Sequence, residues 1–291
     1  MKIEVIGSIN RNYVNSVLKK VKNLIKIPKN TEIFFVENID KCNEVLADVP
    51  KDVRDLFTRI CAIEKTSFAL RHKNKDFIII SITKDKRYLL RDKDALVGIL
   101  LHEIMHLIQI EIGLYKQLLN SYDKTFIKNF KVLKKLPYSY FKLKKLFMNV
   151  GLTTVFLLKD LYCNSEIIKN GYGRYLLRYY DQEFKHKKTC PRPVFYDKFK
   201  KAAKRDMKII EIVLDFEFSL LSVILPFSKY EGHKADRLIE HLGRCYELNI
   251  HDVARKCHEL IGLYLNEFSY DTRFQERFLN SVFNKVYMLL V

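Results

Sequence analysis

The sequence predicts an α+β protein that is mostly helical, and two observations support this prediction. In the first third of the chain, short apolar runs typical of strands alternate with amphipathic stretches typical of helices. From Lys116 onwards, apolar residues recur at helical spacing almost without interruption. We therefore expect an N-terminal α/β lobe over residues 1–115, followed by an all-helical lobe over residues 116–291.

The α/β lobe should begin with a strand, a helix and a second strand. The segment KIEVIG at the start of the chain is typical of a strand, and so is EIFFVEN after residue 31. Between them, Asn10 or Asn12 is placed to cap an amphipathic helix that runs to about Ile25. The order of elements is therefore β–α–β.

The remainder of this lobe leads to its most apolar helix. A helix is expected at Val53–Ile63, and the β-branched run DFIIISIT predicts a third strand at Asp76–Thr83. Asp92 or Asp94 is placed to cap the helix that follows.

The second lobe is divided into helices by glycine, proline and asparagine. Helices are expected at residues 116–135, 138–149, 152–169, 174–184, 199–225, 233–247, 251–267 and 271–289. The expected breaks are Pro137, Gly151, the Gly171–Gly173 pair, Pro226 and Asn249.

Composition and cysteine usage restrict the setting of the protein. The chain carries 52 basic and 34 acidic residues, a net charge of +18, which fits either an acidic partner such as nucleic acid or a lysine-rich surface. Its six cysteines are scattered without a Cys-x-x-Cys pair, as is typical of reduced thiols. With no apparent secretion signal, we expect a cytoplasmic protein.

The most apolar stretches do not predict a membrane span. Phe147–Leu158 is too short to cross a bilayer, and Ile209–Phe227 is interrupted by Glu211, Asp215 and Glu217. We therefore expect no membrane partner.

One short segment combines apolar residues with groups that carry chemistry. In GILLHEIMHLIQIEIG, Gly98–Gly113, residues His102 and His106 are four apart, so they lie on one face of a helix. Two histidines with a third protein ligand and an open position form a typical catalytic zinc site, in which Glu103 could act on a water molecule. The alternative is a pair of core histidines whose ring nitrogens are satisfied by neighbours.

The motif HEIMH and the strand–helix order before it resemble the zincin clan of zinc metallopeptidases. Gln109 and Ile112 occupy the places where a metzincin has Gly and a third His, so the chain looks more like a prokaryotic or archaeal gluzincin. The resemblance implies Zn²⁺, Glu103 as the catalytic residue and a polypeptide substrate. It also implies that the strand DFIIISI pairs with that substrate.

In gluzincins the third ligand comes from a later helix, and here LTTVFLLKDLYCNSEIIKNG offers two acids. Asp160 shares a face with apolar residues, where an unpaired carboxylate would be costly, and Asn164 is placed to assist it as a second-shell residue. Glu166 lies with lysines and is the alternative ligand. Asp215 is a weaker candidate on the same burial argument. A Tyr or Arg of residues 172–178 is a candidate for stabilising an oxyanion.

Two other functions stay open at this point. The lysine-rich segments between residues 124 and 145 and between 184 and 205 suit a nucleic-acid-associated protein, although no known nucleic-acid module is present. A zincin-like fold that has lost activity and acts by binding is the second alternative.

Overall fold

The computed structural model describes residues 1–37, 50–51, 54–55, 66–133, 136–186, 206–246 and 250–291. These residues form an α+β protein that is mostly helical, which confirms the predicted class. The helix expected at Val53–Ile63 lies largely outside the described residues. The chain divides into two compact units. Unit 1 comprises Met1–Ile112 and Lys169–His186, and unit 2 comprises Gly113–Ile168 and Lys187–Val291.

Unit 1 contains a four-stranded mixed sheet whose strand order is β1-β2-β4-β3. The strands β1, β2 and β4 run parallel, and β3 pairs antiparallel with β4. Their bounds are β1 Lys2–Ile6, β2 Thr31–Val36, β3 Ser67–His72 and β4 Lys75–Ser81. The apolar run of β4 is buried because the strand is central, bonded to β2 on one side and to β3 on the other.

The position of β4 corrects one expectation. The run DFIIISI does form a strand, but both of its edges are occupied, so it cannot pair with an extended substrate. Among the described strands, the edge position beside β4 belongs to β3, which was not predicted. Its sequence SFALRH is less apolar than β4 and has no turn residue before it, so the pattern did not stand out.

Two α-helices and one 3₁₀ helix are described in full before residue 112, and each of the two α-helices begins at a cap that the sequence predicts. Helix α1, Arg11–Leu24, starts at Asn10, whose side chain accepts from the backbone N–H groups of Asn12 and Tyr13. A 3₁₀ helix, Lys84–Arg91, leads to helix α2, Lys93–Glu111. The Asp92 carboxylate caps α2 by accepting from the backbone N–H groups of Asp94 and Ala95.

Helices α3, Leu114–Leu133, and α4, Tyr140–Lys169, follow in unit 2, and helix α5, Gly173–His186, returns to unit 1 and packs closely on α2. A Cβ atom on Gly98 would lie 2.2 Å from the carbonyl oxygen of Tyr175, so only glycine permits this approach. Asp92 also anchors α5, since its Oδ2 pairs with Arg178 at 2.6 Å. Residues 173–186, which were expected in the helical lobe, thus pack with unit 1.

The other helices of unit 2 in its described residues are α6 Met207–Tyr230, α7 Gly232–Tyr246, α8 Ile250–Lys256, α9 His258–Glu267 and α10 Thr272–Leu290. The breaks expected at Gly151 and Pro226 are absent, because α4 and α6 continue through them. Gly151 serves packing instead, since a Cβ there would lie 2.2 Å from the ring of Tyr122. The helix expected at 251–267 is interrupted at Cys257, between α8 and α9.

Among the described helices, α4 is long and apolar enough to cross a membrane by length and composition. A second span is counted only if α2 and the first part of α3, a bent pair, are taken together. Most of the apolar stretch of α4 is buried inside the protein, as is usual for a core helix.

Candidate metal centre

The two histidines of the motif face each other on α2. His102 Nε2 lies 3.0 Å from His106 Nε2, and the rings meet edge to face. Two imidazole nitrogens that bind one tetrahedral zinc ion at 2.0–2.1 Å would be about 3.3 Å apart, so this spacing fits a shared ion. It also fits two core histidines without metal, in which one Nε2–H donates to the other nitrogen.

Gln109 determines how the His106 ring is oriented. Its Oε1 lies 2.9 Å from His106 Nδ1, and an amide oxygen can only accept, so Nδ1 carries the proton. In the neutral ring, Nε2 then presents its lone pair towards His102. His106 and Gln109 are both buried, and a partner on the second ring nitrogen is typical of metal-binding histidines.

The carboxylate of Glu103 is held by the edge strand of the sheet. Glu103 is buried, and its Oε1 accepts a hydrogen bond of 2.6 Å from the Ser67 hydroxyl on β3. The next acid along this region, Glu183 of α5, accepts from the hydroxyls of Thr66 and Tyr88, each at 3.1 Å. At the start of β3, the neighbouring hydroxyls of Thr66 and Ser67 therefore donate to two different carboxylates, those of Glu183 and Glu103.

Tyr179 of α5 is half-buried beside this network. Burial raises the pKa of its phenol well above the ordinary value, and the negative charges of Glu183 and Glu103 add to the shift. The hydroxyl therefore remains protonated at neutral pH and can act only as a neutral donor or acceptor.

The oxyanion candidates of residues 172–178 are engaged within unit 1. The Tyr172 hydroxyl donates to the Leu24 carbonyl, Arg174 donates to the Tyr175 hydroxyl, and Arg178 pairs with Asp92. The contacts of Tyr172 and Arg178 anchor α5 to the rest of unit 1, whereas that of Arg174 lies within the helix.

The predicted third ligands lie on α4 in unit 2. Asp160 is half-buried, but its helical neighbour Phe156 is 50% exposed, so the apolar face on which that prediction rested is partly open. Glu166 is half-buried, and it accepts a hydrogen bond of 2.7 Å from the Tyr270 hydroxyl. Asn164 is buried and donates to the Ser222 carbonyl of α6 at 2.8 Å.

The weaker candidate Asp215 is corrected by its exposure. Asp215 faces solvent, whereas Glu217, two residues further along α6, is the buried acid. Helical geometry explains the error, since residues two apart point to different sides of a helix and both are surrounded by apolar residues in the sequence.

Sequence reasoning missed Ser67, Gln109 as the partner of His106, and Tyr179. Gln109 carried a signal, because it lies three residues after His106 on the same helix face. Ser67 and Tyr179 carried none, since their neighbours in space are distant in the sequence.

No family model matches the chain, and no curated protein or solved structure is significantly similar to it.

Proposed function

We propose that this chain is a zinc-dependent metallopeptidase of the zincin type, with His102 and His106 as metal ligands. The observation that supports it most is the convergence of both Nε2 atoms on one point of a buried helix, with Gln109 orienting one ring. Neutral imidazole nitrogens at this spacing suit zinc. When bound, zinc supplies Lewis acidity, which makes water more acidic and polarises a carbonyl group.

Glu103 is the proposed general base and acid. As the residue next to His102, it is placed to accept a proton from water and to deliver it to the departing amine. The hydrogen bond from Ser67 fixes one carboxylate oxygen and thus the direction of the group. A polypeptide substrate would lie along β3 and not along β4, because β3 is the strand that carries Ser67.

The third ligand is proposed from α4, with Asp160 as the first choice and Glu166 as the alternative. The same stretch also contains Cys163, a buried cysteine, and a cysteine thiolate is a common zinc ligand. Asp160→Asn should lower zinc affinity strongly while Glu166→Gln and Cys163→Ser retain it, as measured by competition with a chromogenic chelator. Loss of zinc in either of the latter variants, with Asp160→Asn unaffected, would reassign the ligand.

The test of the activity uses Glu103→Gln in the full chain. Glutamine has nearly the same shape but cannot take a proton, so hydrolysis of an unfolded protein should fall by about a hundred- to ten-thousand-fold. Zinc content should stay at the wild-type value. Glu111→Gln, an exposed residue of the same helix, is the matched control and should leave the rate unchanged.

Two outcomes would contradict the proposal. A zinc-loaded protein that hydrolyses no unfolded protein or peptide mixture would act by binding alone. Salt-sensitive binding to nucleic acid, together with no hydrolysis, would favour the nucleic-acid-associated alternative.

A further inference from the structure

Helix α4 exposes a row of large apolar side chains on one face of unit 2. Phe141 is 80% exposed and Phe156 is 50% exposed, and Met148 and Leu152 lie between them with more than a third of their surface accessible. The spacings of seven, four and four residues place all four on one side of the helix. At 1.5 Å per residue, the row is about 22 Å long.

A groove continues this apolar face towards α6. It has a volume of about 240 Å³, and it is lined by Asn149 and Thr153 of α4 and by Ile212 of α6. Ile212 is itself half exposed. We call Phe141, Met148, Leu152, Phe156 and Ile212 together the apolar row.

Lysines surround the apolar row. Lys145 lies four residues after Phe141, and Lys159 lies three after Phe156, so both belong to the same helix face. The Lys159 Nζ is 5.8 Å from the centre of the Phe156 ring. Lys142 and Lys144 are exposed at the flanks. Against these four cations, the groove contributes two acids, Glu211 and Asp215.

We propose that the apolar row docks unit 2 onto an anionic lipid surface. Exposed aromatic and aliphatic side chains can enter the boundary between headgroups and acyl chains, while the lysines meet lipid phosphates. Each lysine near such a surface is attracted by the negative lipid headgroups, and salt weakens this attraction. The inference does not depend on the metallopeptidase proposal, because it concerns other residues.

The chemistry favours lipid over two other partners. A symmetric pair of chains would place the lysines of one row against those of the other, and like charges repel. A nucleic acid would neutralise the lysines through its phosphates but has no acyl chains into which Phe141 and Met148 could insert. An anionic bilayer satisfies both the charges and the apolar side chains.

This inference departs from the expectation that no membrane is a partner. That expectation rested on hydropathy, which detects helices that span a bilayer. A helix face that lies flat on a bilayer can be recognised only when the burial of each residue is known. In α4 the other faces are buried in the protein.

The absence of tryptophan from the chain makes the test direct. Phe141→Trp and Phe156→Trp each introduce a single tryptophan on the apolar row, and Met288→Trp introduces one on α10 at a residue that is 75% exposed. Vesicles of equal parts phosphatidylglycerol and phosphatidylcholine should shift the emission of the first two proteins to shorter wavelength. The Met288→Trp protein should not shift, and pure phosphatidylcholine vesicles should have little effect on any.

Binding measured by vesicle flotation completes the test. The double variant Phe141→Ser/Phe156→Ser should bind anionic vesicles at least tenfold more weakly than wild type, since it removes two large apolar side chains. Met288→Ser should bind like wild type, and melting curves should show that all variants fold.

Three results would overturn the proposal. The first is no flotation of the wild-type chain with anionic vesicles. The second is flotation that survives the double variant, which would indicate charge alone. The third is a wild-type dimer that becomes monomeric in the double variant, which would make the apolar row an interface between two copies of the chain.

Discussion

Each unit contains a deeply buried glutamate, and the two differ in the groups that face them. Glu103 in unit 1 accepts a hydrogen bond from the Ser67 hydroxyl. It lies next to His102, whose imidazole faces that of His106 on the same helix. Glu217 in unit 2 forms an ion pair with the Lys285 ammonium at 2.5 Å. Burial alone therefore does not distinguish the proposed catalytic glutamate from the ion-paired one, and the two differ instead in the group that contacts each carboxylate.

The surroundings of Glu217 are those of a buried ion pair. Lys285 supplies a full positive charge, and it also lies 3.0 Å from the Cys257 thiol. Burial raises the pKa of that thiol to about 11, with a contribution from the charge of Glu217. The cluster of Glu217, Cys257 and Lys285 thus holds one anion, one cation and a neutral thiol, and so carries no net charge.

The largest effect is expected when this neutral cluster is broken. Lys285→Met leaves the Glu217 carboxylate buried without its cation, which should lower the free energy of unfolding by about 3–5 kcal/mol in urea titrations. The control is Arg244→Met, because the Arg244–Glu240 pair is exposed and should contribute less than about 1 kcal/mol.

The double variant Glu217→Gln/Lys285→Met sharpens this test. It removes both charges, so it should be less destabilised than Lys285→Met alone. Equal losses for Lys285→Met and Arg244→Met would show that Glu217 does not depend on the ammonium group.

The second effect concerns Gln109, the hydrogen-bond partner of the His106 ring. Gln109→Ala removes the acceptor that orients the His106 ring, and loss of such a partner typically weakens metal binding by about 10–100-fold. Chelator competition measures the change, and Glu111→Ala on the same helix should leave zinc affinity as in wild type. An unchanged affinity in Gln109→Ala would mean that the ring is held by other contacts.

The smallest effect concerns the hydroxyl on Glu103. Ser67→Ala should lower kcat by about tenfold with little change in KM and no loss of zinc, since one hydrogen bond to a charged group contributes about 1.5 kcal/mol at the lower end of the usual range. Ser67→Thr retains a hydroxyl and should recover much of the rate. If Thr66→Val, which alters the neighbouring carboxylate Glu183, lowers kcat as much, the role of Ser67 is not specific to Glu103.

The sequence predicted those features that depend only on residues close together along the chain. The helix of the two histidines and the run of β4 follow from spacing along one element, so each was predicted, and the cap of that helix was narrowed to Asp92 or Asp94. Gly151 and Pro226 were misjudged because tertiary packing on a long helix outweighs the local preference of one residue.

The candidate site was predictable only in part for the same reason. His102, Glu103 and His106 belong to one motif, whereas Ser67 and Tyr179 reach the Glu103 region from distant parts of the chain. The difference between the partners of Glu103 and Glu217 could not be predicted either, because Lys285 lies 68 residues after Glu217 in the sequence.

The metal content of the purified full chain tests the central claim most directly. Wild-type protein prepared without chelator should contain about one zinc ion per chain by inductively coupled plasma mass spectrometry. The His102→Ala and His106→Ala variants should contain almost none. His241→Ala, a histidine of α7, should retain the zinc of the wild type. A zinc-free wild-type protein, as stable as its His102→Ala and His106→Ala variants, would contradict the account and leave the two residues as packed core histidines.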